Sequence, residues 1–576
     1  MKLTLSVIFA LLFSCQLFAQ WTSNTAVNTI VCDTTGEQSV TKQALCSDGT
    51  TYYAWFDNRG GAYAVYLQKL DANGVRQFGS AGLLISSNPQ NSSLVDWDMI
   101  ADNSNNAVIT FTDVRAGGTI NPFAYLVSPA GTMLWGANGV ALTDSLNSFQ
   151  PNPHVAQTSD GNYVFMWRLG SGPQKIAMQK LNAAGVKQWG SSPMVFSSGT
   201  AENYDWPNLV TSDNGAVIAM WSGYTGNFLT AANYKIYTQK FSAAGTRVWN
   251  ATQDTVYSLG RVGGFYTPRI FSDGINGAIY CWRDDRNSQN LYGGYVQRKN
   301  AAGTFLFPVN GSAVSTQAGM NHFDPQAAYM PATGETVAIF YQSNSGQTLW
   351  GFSGQKFSAN GTAMWGTNGI NYIPLGNNQP GIYACKTLDT NAFIYINESQ
   401  FGSGNNLVKA FRVGKSGGYV WPGNIITAGS SASGKVRLNA SVTPSGMSIL
   451  SWQDQRADNG NVYAQNINFD GTAGLTGIIN YTNNSPAKFS LGQNYPNPFN
   501  PSTIIKFAIP VSAGNANVKL VLFDVLGRTV QVLLDENKPA GTYELNFNAS
   551  HLSSGVYFYK LTVGENSDIK KMTLIK

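Results

Sequence analysis

The segment Tyr66 to Phe78, YLQKLDANGVRQF, decides how this chain folds, because it recurs along the sequence. It returns as AMQKLNAAGVKQW (Ala177 to Trp189), YTQKFSAAGTRVW (Tyr237 to Trp249), YVQRKNAAGTFLF (Tyr295 to Phe307) and SGQKFSANGTAMW (Ser353 to Trp365). Weaker copies are AYLVSPAGTMLW (Ala124 to Trp135), AFRVGKSGGYVW (Ala410 to Trp421) and YAQNINFDG (Tyr463 to Gly471). The shared glycines are Gly74, Gly131, Gly185, Gly245, Gly303, Gly361, Gly418 and Gly471, and subtracting successive positions gives spacings of 57, 54, 60, 58, 58, 57 and 53 residues. A period of this kind marks an array in which one supersecondary unit cannot bury its own apolar face alone.

Each period holds four strand-like runs. In the fourth, PNLV (Pro207 to Val210) leads through the turn SDNG to AVIAMW, a loop leads to KIYTQKF, and the turn SAAG leads to TRVW. Alternating or β-branched runs separated by Asp-Gly, Asn-Gly and Ala-Gly read as hairpins, and no window after the first twenty residues reads as a long helix. The expected fold class is all-β. The repeat domain, residues 20–482, reads as a β-propeller of eight four-stranded blades, with seven blades or an open solenoid as alternatives. The stretch WTSNTAVNTIV (Trp21 to Val31) resembles the fourth-strand segments WGANGVAL and WGTNGINYI, and the last unit lacks a tryptophan after Gly471. The amino-terminal strand is therefore expected to complete the last blade and remove an exposed edge.

Composition limits function. The chain has 576 residues with 36 Lys+Arg, 31 Asp+Glu and 3 His, and 12% of residues are charged. That share is about half the usual one, and the +5 net charge has no basic cluster, so no nucleic-acid partner is expected. No cofactor and no metal site is expected, since histidines are scarce and the cysteines lack metal-ligand spacing.

Residues 1–19 read as a signal peptide: a basic start, the apolar run LTLSVIFALLF (Leu3 to Phe13), then small and polar residues with a cut after Ala19. Lipidation at Cys15 is the alternative. No later stretch is apolar enough to span a bilayer as a helix, so the mature chain should have no transmembrane helix. Removal of the signal leaves Cys32, Cys46, Cys281 and Cys385, irregularly spaced; no bridge is assigned, and Cys281 in AIYCW reads as a buried thiol.

Two features could form a site in the repeats. Four units carry an aromatic-x-Asp-x-Arg element: Trp55-Asp57-Arg59, Phe111-Asp113-Arg115, Trp282-Asp284-Arg286 and Trp452-Asp454-Arg456. These pairs would either face a ligand or tie their own hairpins. In a four-stranded antiparallel blade the same face carries the segments leading into each first strand. Those segments hold Asp96-Trp97-Asp98, Tyr204-Asp205-Trp206, Phe265-Tyr266 and His322-Phe323-Asp324, a mix of aromatics and acids that suits sugar or peptide recognition and would equally cover blade edges. No convergent catalytic set is legible: the turns SDG and SDNG lack the threonine and tryptophan of Asp-boxes, and adjacent Asp284 and Asp285 alternate across a strand. The expected function is a non-enzymatic binding module for a glycan, peptide or surface protein, with an extracellular carbohydrate-active enzyme as the alternative.

Residues 483–488 read as a polar linker, and residues 489–576 as a small immunoglobulin-like β-sandwich of seven short strands. This C-terminal region (about 487–576) resembles the type A sorting domain of type IX secretion, found in exported proteins of the Bacteroidetes and Chlorobi lineages. The match rests on NYPNPFNPST (Asn494, Pro496, Asn497, Pro498, Phe499, Asn500, Pro501), on the FDVLGR turn (Gly527, Arg528), on SSGVYFYKL (Gly555, Tyr557) and on the closing KKMTLIK (Lys570, Lys571). The resemblance implies the type IX machinery as partner. It implies passage through the periplasm and delivery to the outer-membrane surface or the medium, with release or lipopolysaccharide attachment as the two outcomes in such proteins.

Overall fold

The computed structural model describes residues 21–90, 96–115, 117, 119–145, 147–231, 233–262, 267–286, 291–474, 480–482, 486, 488–510, 512, 516–538, 541–549 and 552–575. The signal-peptide reading lies outside these residues, as does most of the linker. The described chain is built from β-strands and turns without an α-helix. It divides into two compact units, one of Trp21 with Ala26–Gln465 and one of Thr22–Thr25 with Asn466–Lys576.

Among its described residues the first unit contains eight four-stranded sheets. Seven are each made of four consecutive strands; the fourth, for example, runs Glu202–Thr211, Val217–Thr225, Lys235–Phe241 and Asp254–Tyr257, all antiparallel. Its turn SDNG places Asn214 and Gly215 at positive φ, a backbone conformation these residue types tolerate. The second strand of a sheet is predominantly apolar because both of its faces pack against neighbours: Ala107–Asp113, Ala278–Asp284 and Ser448–Asp454 are buried at every position.

Core clusters straddle consecutive sheets. Tyr52, Phe56, Ile109 and Tyr125 share one cluster across the first two, and Ile218, Ile236, Tyr280 and Trp282 another across the fourth and fifth. The eighth sheet combines Lys435–Val442, Ser448–Asp454 and Asn461–Ile467 with the amino-terminal strand Thr29–Cys32, which pairs Thr29 with Ala464 and Ile30 with Tyr463. This is the completion expected from the sequence. The first and eighth sheets also touch, since Thr41 Oγ1 donates to the Arg437 carbonyl at 3.2 Å and Asn439 Nδ2 to the Thr41 carbonyl at 3.1 Å.

Every element of the repeated segment has a contact. Gln68 Nε2 donates to the Gly79 carbonyl at 2.7 Å while its Oε1 accepts from Phe78 N at 2.9 Å, so the glutamine ties its own unit's chain reversal. Lys180, almost fully buried, reaches Asp160 at 2.7 Å and the Ala243 carbonyl of the following unit at 3.1 Å. The aromatic after the turn lies over the turn glycine of the following unit. In the seventh unit that glycine is Gly417, at φ +87°, where an added Cβ would meet the Trp365 ring at 2.9 Å; the repeat spacing had pointed to Gly418. Cys32, Cys46, Cys281 and Cys385 are free and buried.

In the second unit, strands Asn480–Thr482, Gly541–Asn548, Ser502–Ile509 and Ser490–Leu491 form one sheet, and Thr529–Lys538, Ala516–Phe523, Gly555–Val563 and Asn566–Leu574 another. Ile505, Phe507 and Tyr543 of the first sheet join Leu520, Tyr559 and Met572 of the second in a single core.

Candidate functional site

The Asp-Arg elements tie their own hairpins. Asp57, Asp113, Asp284 and Asp454 are fully buried, and each is paired with the arginine two residues on. The tryptophans add a second donor: Trp55, Trp282 and Trp452 Nε1 lie 2.8, 2.8 and 2.9 Å from those carboxylates. Each guanidinium then stacks on a third-strand ring, Tyr66, Phe123, Tyr295 or Tyr463, at 4.0, 3.8, 3.6 and 3.9 Å. These carboxylates have no face left for a ligand.

The lead-in segments share a backbone device. At the start of the first strand the register slips between Ser39 and Lys42, Asp205 and Asn208, Phe323 and Gln326, and Val436 and Asn439. Each slip is a β-bulge with a left-handed residue: Val40, Trp206, Asp324 and Arg437 have φ of 51°, 52°, 47° and 58°. Bulges re-aim side chains, and a β-branched or bulky residue at positive φ is costly, so the surrounding fold must hold it.

Most of the aromatics in these segments are packing groups. Trp97 is fully buried, stacks on Phe56 at 5.0 Å and donates Nε1 to the Val40 carbonyl at 2.9 Å. Tyr204 packs against Trp221 and Tyr237, and Phe323 stacks on Tyr341 at 4.8 Å. His322 lies against Phe340, and burial lowers its pKa to about 4. Asp205 is buried beside Arg168 (3.2 Å) and Tyr224 (3.1 Å), and Asp324 lies half-buried beside Arg283 (3.5 Å) and Tyr341 (3.2 Å). Burial raises both carboxyls despite these partners. Phe265 and Tyr266 lie outside the described residues.

Asp96 and Trp206 come together at a cavity of about 300 Å³, and their neighbours there include Asn152, His154, Asn208 and Arg269. Asp98 stands behind it, its Oδ2 3.5 Å from His154 Nδ1. Lys42 Nζ donates to Asp96 Oδ1 at 2.8 Å, and His154 Nε2 lies 3.9 Å from Asp96 Oδ2. Partial desolvation opposes ionisation of Asp96, whose side chain is 49% exposed, and of Asp98, but Lys42 and His154 outweigh it and hold both carboxyls below their ordinary value.

The composition of the lead-ins does not disclose His154, Asn208 and Arg269. A signal for them does exist. The triplets Asn152-Pro153-His154 and Thr267-Pro268-Arg269 put a proline just before the first strand, and Trp206-Pro207-Asn208 and Asp324-Pro325-Gln326 put one inside its bulge. Proline suits a bulge, where no ladder donor is needed.

In the second unit the sorting-domain motifs anchor the chain's end. Asn494 Nδ2 donates to Thr503 Oγ1 at 2.9 Å and to the Pro496 carbonyl at 3.1 Å. Phe499 is buried, and its backbone pairs with Thr573 and Ile575. Asn497 Oδ1 accepts from Thr573 N at 2.9 Å, and the Pro501 carbonyl from Ala549 N at 2.9 Å. Asp524 closes the FDVLGR turn by accepting from Arg528 N and Nε, with Gly527 at φ +74°. Tyr557 OH donates to the Ser553 carbonyl near Gly555, Lys570 pairs with Asp568, and Pro498, Asn500 and Lys571 are exposed.

Residues 493–576 match the family described as the secretion system C-terminal sorting domain. The protein is accordingly exported to the cell surface or secreted, and the type IX machinery is its partner in that step. No curated protein matches the chain. Among solved structures the chain is similar to a PL25 ulvan lyase bound to -[GlcA(1-4)Rha3S]-, at 10% identity, covering 69% of this chain and 94% of that one, TM-score 0.41. It is also similar to a Penicillium chrysogenum α-L-arabinanase complexed with arabinobiose (13% identity, 56% and 93% covered, TM-score 0.30). A third is a protein of unknown function from Dyadobacter fermentans (10% identity, 57% and 96% covered, TM-score 0.31). Among the described residues no helix is long and apolar enough to cross a membrane.

Proposed function

We propose that the exported chain is a saccharide-binding protein. In this reading the first unit is a closed eight-bladed β-propeller, and its ligand sits in the lead-in cavity around Trp206. The second unit is an immunoglobulin-like sandwich carrying the sorting signal. The closed ring is supported by the pairing of Thr29–Cys32 with the last sheet and by the Thr41–Asn439 contact between first and last sheets.

The observation that carries the binding reading is the convergence of one indole, two amides, one imidazole and one guanidinium on a single concavity. Small-ligand sites combine an apolar surface with a few placed polar groups, and stacking on an indole suits a pyranose face. Binding rather than turnover is favoured because Asp96 and Asp98 are already engaged by Lys42, His154 and backbone amides. A carboxyl held ionised in this way is a poor general acid.

The test is a glycan array together with a panel of chromogenic glycosides and polysaccharides, using the purified exported protein. Binding that is lost in Trp206→Ala, without turnover, is expected. Reproducible turnover abolished by Asp96→Asn would replace this reading with that of a carbohydrate-active enzyme.

A further inference from the structure

The polar groups of the lead-in cavity fall into two classes. The carboxylate oxygens are hydrogen-bonded except Asp96 Oδ2, which stands 3.9 Å from His154 Nε2. Asp96 Oδ1 accepts from Lys42 Nζ and from Trp97 N. Asp98 accepts from Met99 N through one oxygen and from Val155 N through the other. The amide and guanidinium donors are not so engaged. Asn152 Oδ1 accepts from Asp96 N and Asn208 Oδ1 from Leu209 N, which fixes how both amides are turned. Their Nδ2 groups then have no hydrogen-bond partner among the described residues. Arg269 is exposed in the cavity wall, and no hydrogen bond or ion pair joins its guanidinium to another described residue. It differs in this from Arg59, Arg115, Arg286 and Arg456, each of which is consumed by its own aspartate.

A ligand that satisfies this cavity must bring acceptors, and an unpaired guanidinium fork fits a planar carboxylate or a sulfate. We infer that the ligand is an anionic saccharide whose carboxylate or sulfate ester is held by Arg269, with the Asn152 and Asn208 amides donating to its hydroxyl or ring oxygens. The inference rests on the saccharide reading above and adds the charge of the ligand. The cavity, at about 300 Å³, is at the small end for ligand pockets, so it reads a single charged sugar unit rather than a long segment. Lys42 makes the anion tolerable beside Asp96 by neutralising that carboxylate.

The experiment is calorimetric titration of the full exported protein with tetragalacturonate, with its methyl ester, and with a sulfated galactose tetrasaccharide, in calcium-free buffer. At least one charged probe should bind more tightly than the neutral ester by ~10-fold or more, the scale of a charge-assisted hydrogen bond, and the preference should shrink as salt is added. Which charged probe wins separates carboxylate from sulfate. Arg269→Gln should lose the preference, the charged probe binding no more tightly than the ester, and Arg269→Lys, which keeps the charge without the fork, should fall between. Because Arg269 is exposed, these variants are expected to fold, and thermal unfolding checks it. Equal affinity for the ester and both charged probes, or a preference that survives in Arg269→Gln, would overturn the inference while leaving the saccharide reading intact. Failure of every saccharide, charged and neutral, would overturn both.

Discussion

Trp21 Nε1 donates to the Ala72 carbonyl at 2.9 Å, and the indole lies against Gly74, where an added Cβ would meet Trp21 N at 2.7 Å and Cδ2 at 2.8 Å. The same relationship joins Trp135 to Ala183 and Gly185, Trp189 to Ala243 and Gly245, and Trp249 to Ala301 and Gly303. Phe78 over Gly131 and Phe307 over Gly361 repeat the ring contact without the hydrogen bond. The repeat's aromatic and its glycine are thus two halves of one contact between successive units. Trp21 supplies the half that the eighth unit, without a tryptophan after Gly471, does not encode.

Trp21→Ala should therefore destabilise the first unit by about 3–5 kcal/mol, the cost of truncating a buried aromatic, since Trp21 is only 4% exposed. Trp135→Ala, in the middle of the array, should cost a similar amount. Denaturant unfolding of both variants makes the comparison. In an open array Trp21 would be a fraying end, and its loss would cost far less than that of Trp135.

Gly185→Ala and Gly136→Ala differ in surroundings but not in backbone, at φ +78° and +79°. At Gly185 a Cβ would meet Trp135 Cδ1 at 2.9 Å; at Gly136 it would meet nothing within 4 Å. Gly136→Ala should cost about 1 kcal/mol from conformation alone, and Gly185→Ala distinctly more because the ring must also shift. Equal losses would mean that the ring contact is incidental.

The period was legible because each repeated residue has a repeated task. Gln68 and its equivalents Gln179, Gln239 and Gln355 fasten the same reversal, and the lysines after Gln179, Gln239 and Gln355 reach the next unit. The site was only half legible. Aromatics crowd the lead-ins, yet Trp97, Tyr204 and Phe323 serve sheet-to-sheet packing, which leaves the same composition as a binding platform would. His154, Asn208 and Arg269 sit 54 and 61 residues apart in turn and converge only because each follows a proline at the lead-in to a different sheet's first strand. No local pattern encodes that convergence; the X-Pro-polar triplets encode only how the chain enters each strand.

His322 gives the first unit an acid limb. Its pKa is lowered from 6.5 to about 4 by burial, so the unfolded chain binds this proton more readily than the folded one. Its contribution is complete above pH 6.5 and is lost as the pH falls towards 4, amounting to about 3 kcal/mol. His322→Phe, which keeps a ring against Phe340, should flatten the loss of stability between these limits in urea unfolding. An unchanged slope would show that the imidazole takes up its proton as readily in the folded protein as in the unfolded chain.

Deleting Ala487–Lys576 should strand the protein in the periplasm, because the sorting-domain match at residues 493–576 is the chain's address for the second membrane. The deletion removes seven strands, Ser490–Leu491 through Asn566–Leu574, and leaves every strand of the eight repeat sheets in place. The stranded protein should therefore keep the tryptophan fluorescence and melting transition of the intact first unit. Point changes separate the domain's fold from its recognition. Phe499→Asp puts a charge into the buried contact with the final strand and should abolish export by unfolding the domain. Lys571→Ala alters an exposed residue of the closing motif, and a loss of export there, with the domain still folded by proteolysis, would mark that strand's surface as what the machinery reads. Surface display of the deletion at wild-type level would show that another segment carries the address.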